Sequence, residues 1–164
     1  PHSTTQRDMS MIEQDMKAPD FKLPAVPGGE ASLSDYTGKP LVLYFYPKDD
    51  TPGCTNEALD FSAHAEAFAD LGASIVGISR DSLKKHDAFR EKHGLTITLA
   101  SDEDGSVCEA YGVWVEKSMY GRKYMGIERA TFLIGPDGTV RKVWRKVKVK
   151  GHAEAVLETL SATV

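Results

Sequence analysis

The chain has 164 residues, 41% hydrophobic and 27% charged, an ordinary globular composition at about the length of one domain. Its 24 acidic side chains outnumber the 20 basic ones, and a formal charge of −4 lacks the basic excess of a general nucleic-acid binder. Two cysteines, Cys54 and Cys108, exclude a disulfide-built scaffold, and the longest apolar run, 41–46, falls far short of the ~20 residues of a membrane-spanning helix. Residues 1–17 are polar and hold no apolar stretch of the kind a secretory signal carries. They read as a flexible tail, part of it tag-derived, with a native start at Met9 or Met11. With no signal visible and so few cysteines, a reducing, cytoplasmic setting with free thiols is expected.

From residue 18 to 164 the pattern reads as one domain without internal repeats. Pro24, Pro27, Gly28 and Gly29 mark an early turn region. Residues 41–46, LVLYFY, are apolar on both faces and predict a buried central strand ended by Pro47. Ala58, Phe61, Ala65 and Phe68 recur on one helical face, and Gly72 closes that helix. Residues 74–79 form a second apolar strand. Asp81 or Ser82 caps a helix that runs to His93 and ends at Gly94. A third strand over 95–100 and a short helix over 105–111 follow, and 113–128 reads as an irregular excursion. Residues 131–134 and 139–144 flank Gly-Pro-Asp-Gly as a hairpin, and a last helix covers about 152–161. The order β-α-β-α-β-α-β-β-α predicts an α/β fold, a central mixed sheet with helices on both faces, and a thioredoxin-like architecture fits it.

The loop 47–54, Pro-Lys-Asp-Asp-Thr-Pro-Gly-Cys, leaves the first central strand and opens a helix at Cys54. Open α/β sheets carry their chemistry at the carboxyl ends of strands. A helix start supplies unpaired N–H groups and the positive end of the dipole, which favour thiolate over thiol. Thr51 places a hydroxyl near the sulfur, either accepting from a substrate O–H or donating to the thiolate. Pro47 and Pro52 stiffen the loop, and Gly53 allows close backbone approach. An inert buried cysteine does not need such a loop in front of it. Position 57 is Glu57, so a Cys-x-x-Cys exchanger is excluded; Asp60 stands where a Cys-x5-Arg phosphatase loop needs its arginine. Two isolated cysteines and five scattered histidines show no zinc spacing. A single nucleophilic thiolate remains.

Pro47-x-x-x-Thr51-x-x-Cys54 resembles the active-site motif of the peroxiredoxins, and the wider YFYPKDDTPGCT resembles their bacterioferritin-comigratory-protein, or peroxiredoxin Q, branch. The resemblance extends through DFKLP at 20–24, LSDYTGK at 33–39, SDEDG at 101–105, residues 111–138 and KVKGHAEAVL at 148–157. It implies a thioredoxin-like fold and a thiol peroxidase for hydrogen peroxide and organic hydroperoxides, without metal, haem or flavin. Cys54 matches the peroxidatic cysteine that becomes a sulfenic acid. Thr51 matches the hydroxyl that orients the peroxide, Pro47 the residue that shields the site, and Arg129 the active-site arginine. Gly53, Thr51 and Arg129 are the expected substrate-binding positions.

The chain departs from that branch at Leu59, where many members carry a resolving cysteine in Cys-x4-Cys. Cys108 is the remaining candidate, but Val107 and Tyr111 beside it speak for packing. The expectation is a one-cysteine peroxidase regenerated by an external thiol (thioredoxin, glutaredoxin with glutathione, or a small thiol) and acting as a monomer. A peroxide sensor using Cys54 and a two-cysteine peroxidase resolved by Cys108 are the alternatives. Residues 141–150 carry six basic side chains, read as the solvated face and guarded edge of a strand rather than a docking strip. His86 and His93 read as a solvated helix face. Glu57 suits the helix dipole and helps hold the loop. Trp114, Tyr120 and Tyr124 are left either walling the pocket or packing on the core.

Overall fold

A computed structural model describes residues 12–163. The chain opens with a hairpin, β1 (Lys22–Val26) and β2 (Gly29–Ser32), and a 3-10 turn at Leu33–Tyr36. β3 (Leu41–Phe45) leads through the cysteine loop into α1 (Pro52–Ala63) and α2 (Ala65–Asp70). β4 (Ser74–Ser79), α3 (Leu83–His93), β5 (Thr98–Ser101) and α4 (Ser106–Ala110) come next. A ribbon of β6 (Trp114–Met119) and β7 (Arg122–Ile127) precedes β8 (Ala130–Ile134), β9 (Val140–Arg145) and α5 (His152–Thr163).

Seven strands form one mixed sheet in the order β2-β1-β5-β4-β3-β8-β9, while β6 and β7 pair with each other in a separate sheet. β3 pairs in parallel with β4 and antiparallel with β8, so it lies inside the sheet, and all five of its residues are buried. The period-two alternation of a strand sends its side chains to two cores. Leu41, Leu43 and Phe45 pack with Val107, Cys108, Tyr111 and Val113 on one face. Val42, Tyr44 and Tyr46 pack on the other with Cys54, Phe61, Phe68, Phe89 and Val156, the side covered by α1, α2, α3 and α5. Among the described residues, no helix is long and apolar enough to cross a membrane.

The mixed sheet with helices on both faces agrees with the expected α/β fold. The Ser82 side chain accepts from the Lys85 N–H, and Gly94 ends α3 in a left-handed conformation, as capping chemistry requires. Several expectations need correction. The single helix drawn through Phe61 and Phe68 is two, broken at His64, whose φ of −100° and ψ of 3° leave the helical region. The break keeps both phenylalanines on one core, which is why the periodicity did not register it. The excursion at 113–128 is a ribbon turned at Tyr120-Gly121, both with positive φ. Its turn uses Tyr where Asn or Asp is usual, so the hairpin signal was missing. The third strand starts at Thr98, because Leu95 still caps α3 through its N–H to the Arg90 carbonyl. The β1–β2 hairpin was hidden among its prolines and glycines.

The tail expected over 1–17 meets the described residues only from residue 12. There the chain is held down: Ile12 is buried, Asp15 N–H donates to Val140 O at 2.8 Å and Val140 N–H donates to Met16 O at 2.8 Å. Backbone pairing at the free edge of β9 supplies the partners that a solvated tail would take from water. Residues 1–11 lie outside the described residues.

Candidate active site

The loop from β3 into α1 is tied to α3. Asp49 is buried, its carboxylate accepts from the Tyr46 hydroxyl, and its Oδ2 lies 2.6 Å from His86 Nδ1. His86 Nε2 donates to Ala100 O at 2.9 Å. The Asp49 N–H donates to Asp81 Oδ2 at 2.8 Å, and Asp50 pairs with Lys92 and His93 at the surface. His86 is therefore no part of a solvated face: it is fully buried and latches the loop to α3. A helix pattern reads His as polar and cannot see an Asp 37 positions earlier that completes it. Asp49, Asp81 and His86 also stand close enough to invite a cation. Both Asp49 oxygens and both His86 nitrogens are already engaged, and Asp81 Oδ2 accepts from the Asp49 N–H and the Ser79 hydroxyl.

Thr51 heads α1 with extended backbone, and Pro52 takes the first helical position, where its missing N–H costs nothing. The Thr51 hydroxyl donates to Lys48 O at 2.8 Å. Its proton is thus spent within the loop and its lone pairs are left to accept, which favours the first of the two roles open to it. Pro47 is exposed at the start of the loop. Cys54, third residue of α1, lies among the N–H groups that have no partner within the helix and is 2% exposed.

Arg129 reaches Cys54 from the connection between β7 and β8. Its Nη2 donates to Cys54 Sγ at 3.3 Å and its Nη1 to Glu57 Oε1 at 2.6 Å. Its own carbonyl accepts from the Val147 N–H at 3.1 Å, so the segment after β9 pins the arginine backbone. A Cβ at Gly53 would come within 3.3 Å of Arg129 Nη2. Glycine there makes room for the guanidinium, a use distinct from the substrate approach expected of it. The fork of Arg129 spans two acceptors at once, which a lysine ammonium does not do.

Glu57 is the residue that sequence reasoning underrated. It is 1% exposed, and burial pushes its carboxyl up to about 7 against the pull of Arg129. Its Oε2 and the hydroxyl of Tyr44 are buried without a hydrogen-bond partner among the described residues. Burial, then the Glu57 charge, holds the Tyr44 phenol well above its ordinary range. The signal was available: three residues after Cys54, Glu57 shares its helix face. Lys117 stands in the same field, its ammonium weakened first by burial and then by Arg129, and favoured by Cys54.

The raised carboxyl has a consequence for stability. Between about 4.5 and about 7 the native state holds a proton on Glu57 that the unfolded chain has lost. Stability from this group therefore falls as pH rises through that window and is flat on either side. Glu57→Gln is expected to flatten the decline of Tm between those pH values in thermal melts. Parallel pH profiles for the two proteins would contradict it.

The remaining expected residues are dispersed. Cys108 is fully buried in the core on the opposite face of the sheet from Cys54. Burial, then Asp102, pushes its thiol strongly up. Leu59 is 39% exposed on α1. Trp114 packs under the Arg80 guanidinium at 4.6 Å and against the core, whereas Tyr120 and Tyr124 project into solvent. β9 is the edge strand of the sheet, and the Lys-Val alternation at 146–150 lies beyond it.

Residues 15–143 match the AhpC/TSA family. The chain is 53% identical over 149 residues to the peroxiredoxin Bcp of Bacillus subtilis, covering 91% of this chain and 95% of that protein. It is 51% identical to a putative peroxiredoxin of Coxiella burnetii, over 91% of this chain and 99% of the relative. Among solved structures, a cysteine-to-serine mutant of Xanthomonas campestris peroxiredoxin Q superposes with a TM-score of 0.87 at 48% identity, over 93% of this chain and 99% of that one. The bacterioferritin comigratory protein of the same organism, described for its alkyl peroxide reduction activity, gives 0.83 at 50% identity over 87% and 91%. A family match across most of the chain, around a cysteine that opens a helix under an arginine, identifies the chain as a member of the AhpC/TSA family and, within it, as a peroxiredoxin, a thiol peroxidase.

Proposed function

We propose that the protein reduces hydrogen peroxide and organic hydroperoxides by a one-cysteine cycle on Cys54, as a monomer in a reducing, cytoplasmic setting. The observation that carries this reading is the 3.3 Å contact of Arg129 Nη2 with Cys54 Sγ. A thiolate lone pair attacks the terminal peroxide oxygen; the S–O bond forms as the O–O bond breaks. The leaving alkoxide takes a proton and departs as alcohol, or as water from hydrogen peroxide. Sulfur is oxidised by two electrons to the sulfenic acid. Arg129 donates to the sulfur at the start and to the developing oxyanion at the transition state, and Thr51 accepts from the peroxide O–H. Pro47, at the start of the loop, shields the bound peroxide.

Regeneration falls to an outside thiol. Leu59 offers no local partner, and the sheet stands between Cys54 and Cys108. The test is mass mapping after one equivalent of peroxide. The expected product carries one added oxygen on Cys54, trapped as the sulfenic acid adduct. A Cys54–Cys108 disulfide in monomeric protein would refute the one-cysteine cycle.

A further inference from the structure

Cys54 offers almost no surface for another protein to hold, being 2% exposed. Any macromolecule that works on it must find its footing around the site. The β6–β7 ribbon starts close to the site. Its base pair, Trp114 with Ile127, lies two residues from Arg129, and beyond it the strands pair only with each other. Six large hydrophobic side chains are exposed among the described residues, and Met119, Tyr120, Tyr124 and Met125 of this ribbon are four of them. Met119 and Tyr124 share one face beside the tip residue Tyr120, while Met125 lies on the other; single exposed apolar residues are ordinary, whereas a cluster marks a contact surface. Tyr120, at the tip, is 97% exposed and sits at φ +53°, a conformation that disfavours a bulky side chain. The two-residue turn of the hairpin imposes that backbone, and it leaves the Tyr120 ring in solvent.

We propose that this ribbon docks the protein that reduces oxidised Cys54, a dithiol oxidoreductase presenting an apolar patch within an acidic rim. The proposal rests on the one-cysteine cycle above. Strand register puts Lys117, Met119, Arg122 and Tyr124 on one face. That face carries cations and apolar groups and no carboxylate; Glu116 lies on the other, 3.9 Å from Lys123. Two such cationic faces repel, which disfavours a second copy of the chain as the occupant, while an acidic rim is attracted. Size agrees as well. A protein interface of standard size covers ~800 Å² per partner, a disc of roughly 16 Å radius, and a strand of this length extends about 20 Å. A partner centred on Cys54 therefore overlaps the ribbon.

The chemistry balances without further reagents. One partner thiol attacks the sulfenic sulfur and water leaves, giving a mixed disulfide. The partner's second thiol attacks its own sulfur of that bond, freeing Cys54 as thiolate and leaving the partner oxidised by two electrons.

The test compares wild type with Met119→Ser/Tyr120→Gly/Tyr124→Ser and, separately, Arg122→Glu, each verified as folded by circular dichroism. Three rates are read: oxidation by peroxide, reduction of the sulfenic acid by dithiothreitol, and its reduction by thioredoxin or by glutaredoxin with glutathione. Oxidation and the dithiothreitol rate are expected to be unchanged. The protein-dependent rate should fall about tenfold or more in the triple variant, the size of a lost interface anchor. In Arg122→Glu it should fall and lose its dependence on salt. Unchanged protein-dependent rates would overturn the proposal. So would wild type reduced by neither protein faster than by dithiothreitol at equal thiol, or variants whose only change is a dimer becoming monomer in sedimentation. If peroxide leaves Cys54 unoxidised, the one-cysteine cycle itself fails, a result distinct from these.

Discussion

Replacing Cys54 with serine is expected to abolish peroxide reduction, and replacing Cys108 with serine to leave the thiolate chemistry intact. Removing the nucleophile from a site whose groups act as a unit costs on the order of 10⁴–10⁶ in rate. The serine hydroxyl stays protonated under Arg129, so the guanidinium faces a neutral oxygen and no lone pair of comparable nucleophilicity reaches the peroxide. Cys108 differs in every respect that matters to reactivity. It is fully buried, its thiol is pushed up by burial and by Asp102, and it belongs to the core across the sheet. A hydroxyl there desolvates at a cost of about 1–3 kcal/mol, which appears as a lower Tm rather than a slower reaction. Stopped-flow oxidation with peroxide in excess separates the two effects. Equal loss of the oxidation step in both variants would contradict the assignment.

Arg129→Ala is expected to slow sulfenic acid formation by roughly 10²–10³, the usual cost of one aimed donor at a developing charge. Above pH about 7, where Glu57 is charged in the wild type, it should also lower stability, because without Arg129 the buried carboxyl moves further up and must take a proton from solvent to stay buried. The two consequences can be pulled apart with Glu57→Gln, which keeps an acceptor for Arg129 while removing the charge. In the Arg129→Ala background that substitution should recover most of the lost stability and little of the lost rate. A double-mutant cycle measures the coupling directly. Arg129→Lys should recover little of the rate, since a point charge does not contact Glu57 Oε1 and Cys54 Sγ together as the fork does. An oxidation rate within a factor of two of wild type in Arg129→Ala would remove Arg129 from the mechanism.

Arg129 and Glu57 also show how unevenly the site was legible. The loop and its cysteine were readable because they are local: a strand, a stiff turn and a helix start follow each other in sequence, and the helix dipole acts on whatever sits at its beginning. Arg129 came from resemblance alone, since nothing near it in sequence distinguishes it from a surface arginine at a strand start. Its meaning is set by Glu57, 72 positions earlier. His86 was misjudged for the same reason, because its partner Asp49 lies on another element and burial reverses the reading of a polar helix residue. The ribbon at 114–127 was missed because its turn carries tyrosine at a left-handed position, against local preference.

By itself the sequence determined the α/β class, the buried central strand and its two-sided core, the capped α3, and a cysteine at a helix start. It also determined the missing partner, since Leu59 rules out the local disulfide. Those features depend on hydrophobic periodicity and on the chemistry of neighbours in the chain. Only the tertiary structure decided that Arg129 bridges Cys54 and Glu57, that His86 latches the loop, and that Cys108 is screened from Cys54. Each of these depends on which elements the sheet order brings together and on how far burial raises the cost of an unpaired charge, neither of which is a property of any local stretch of sequence.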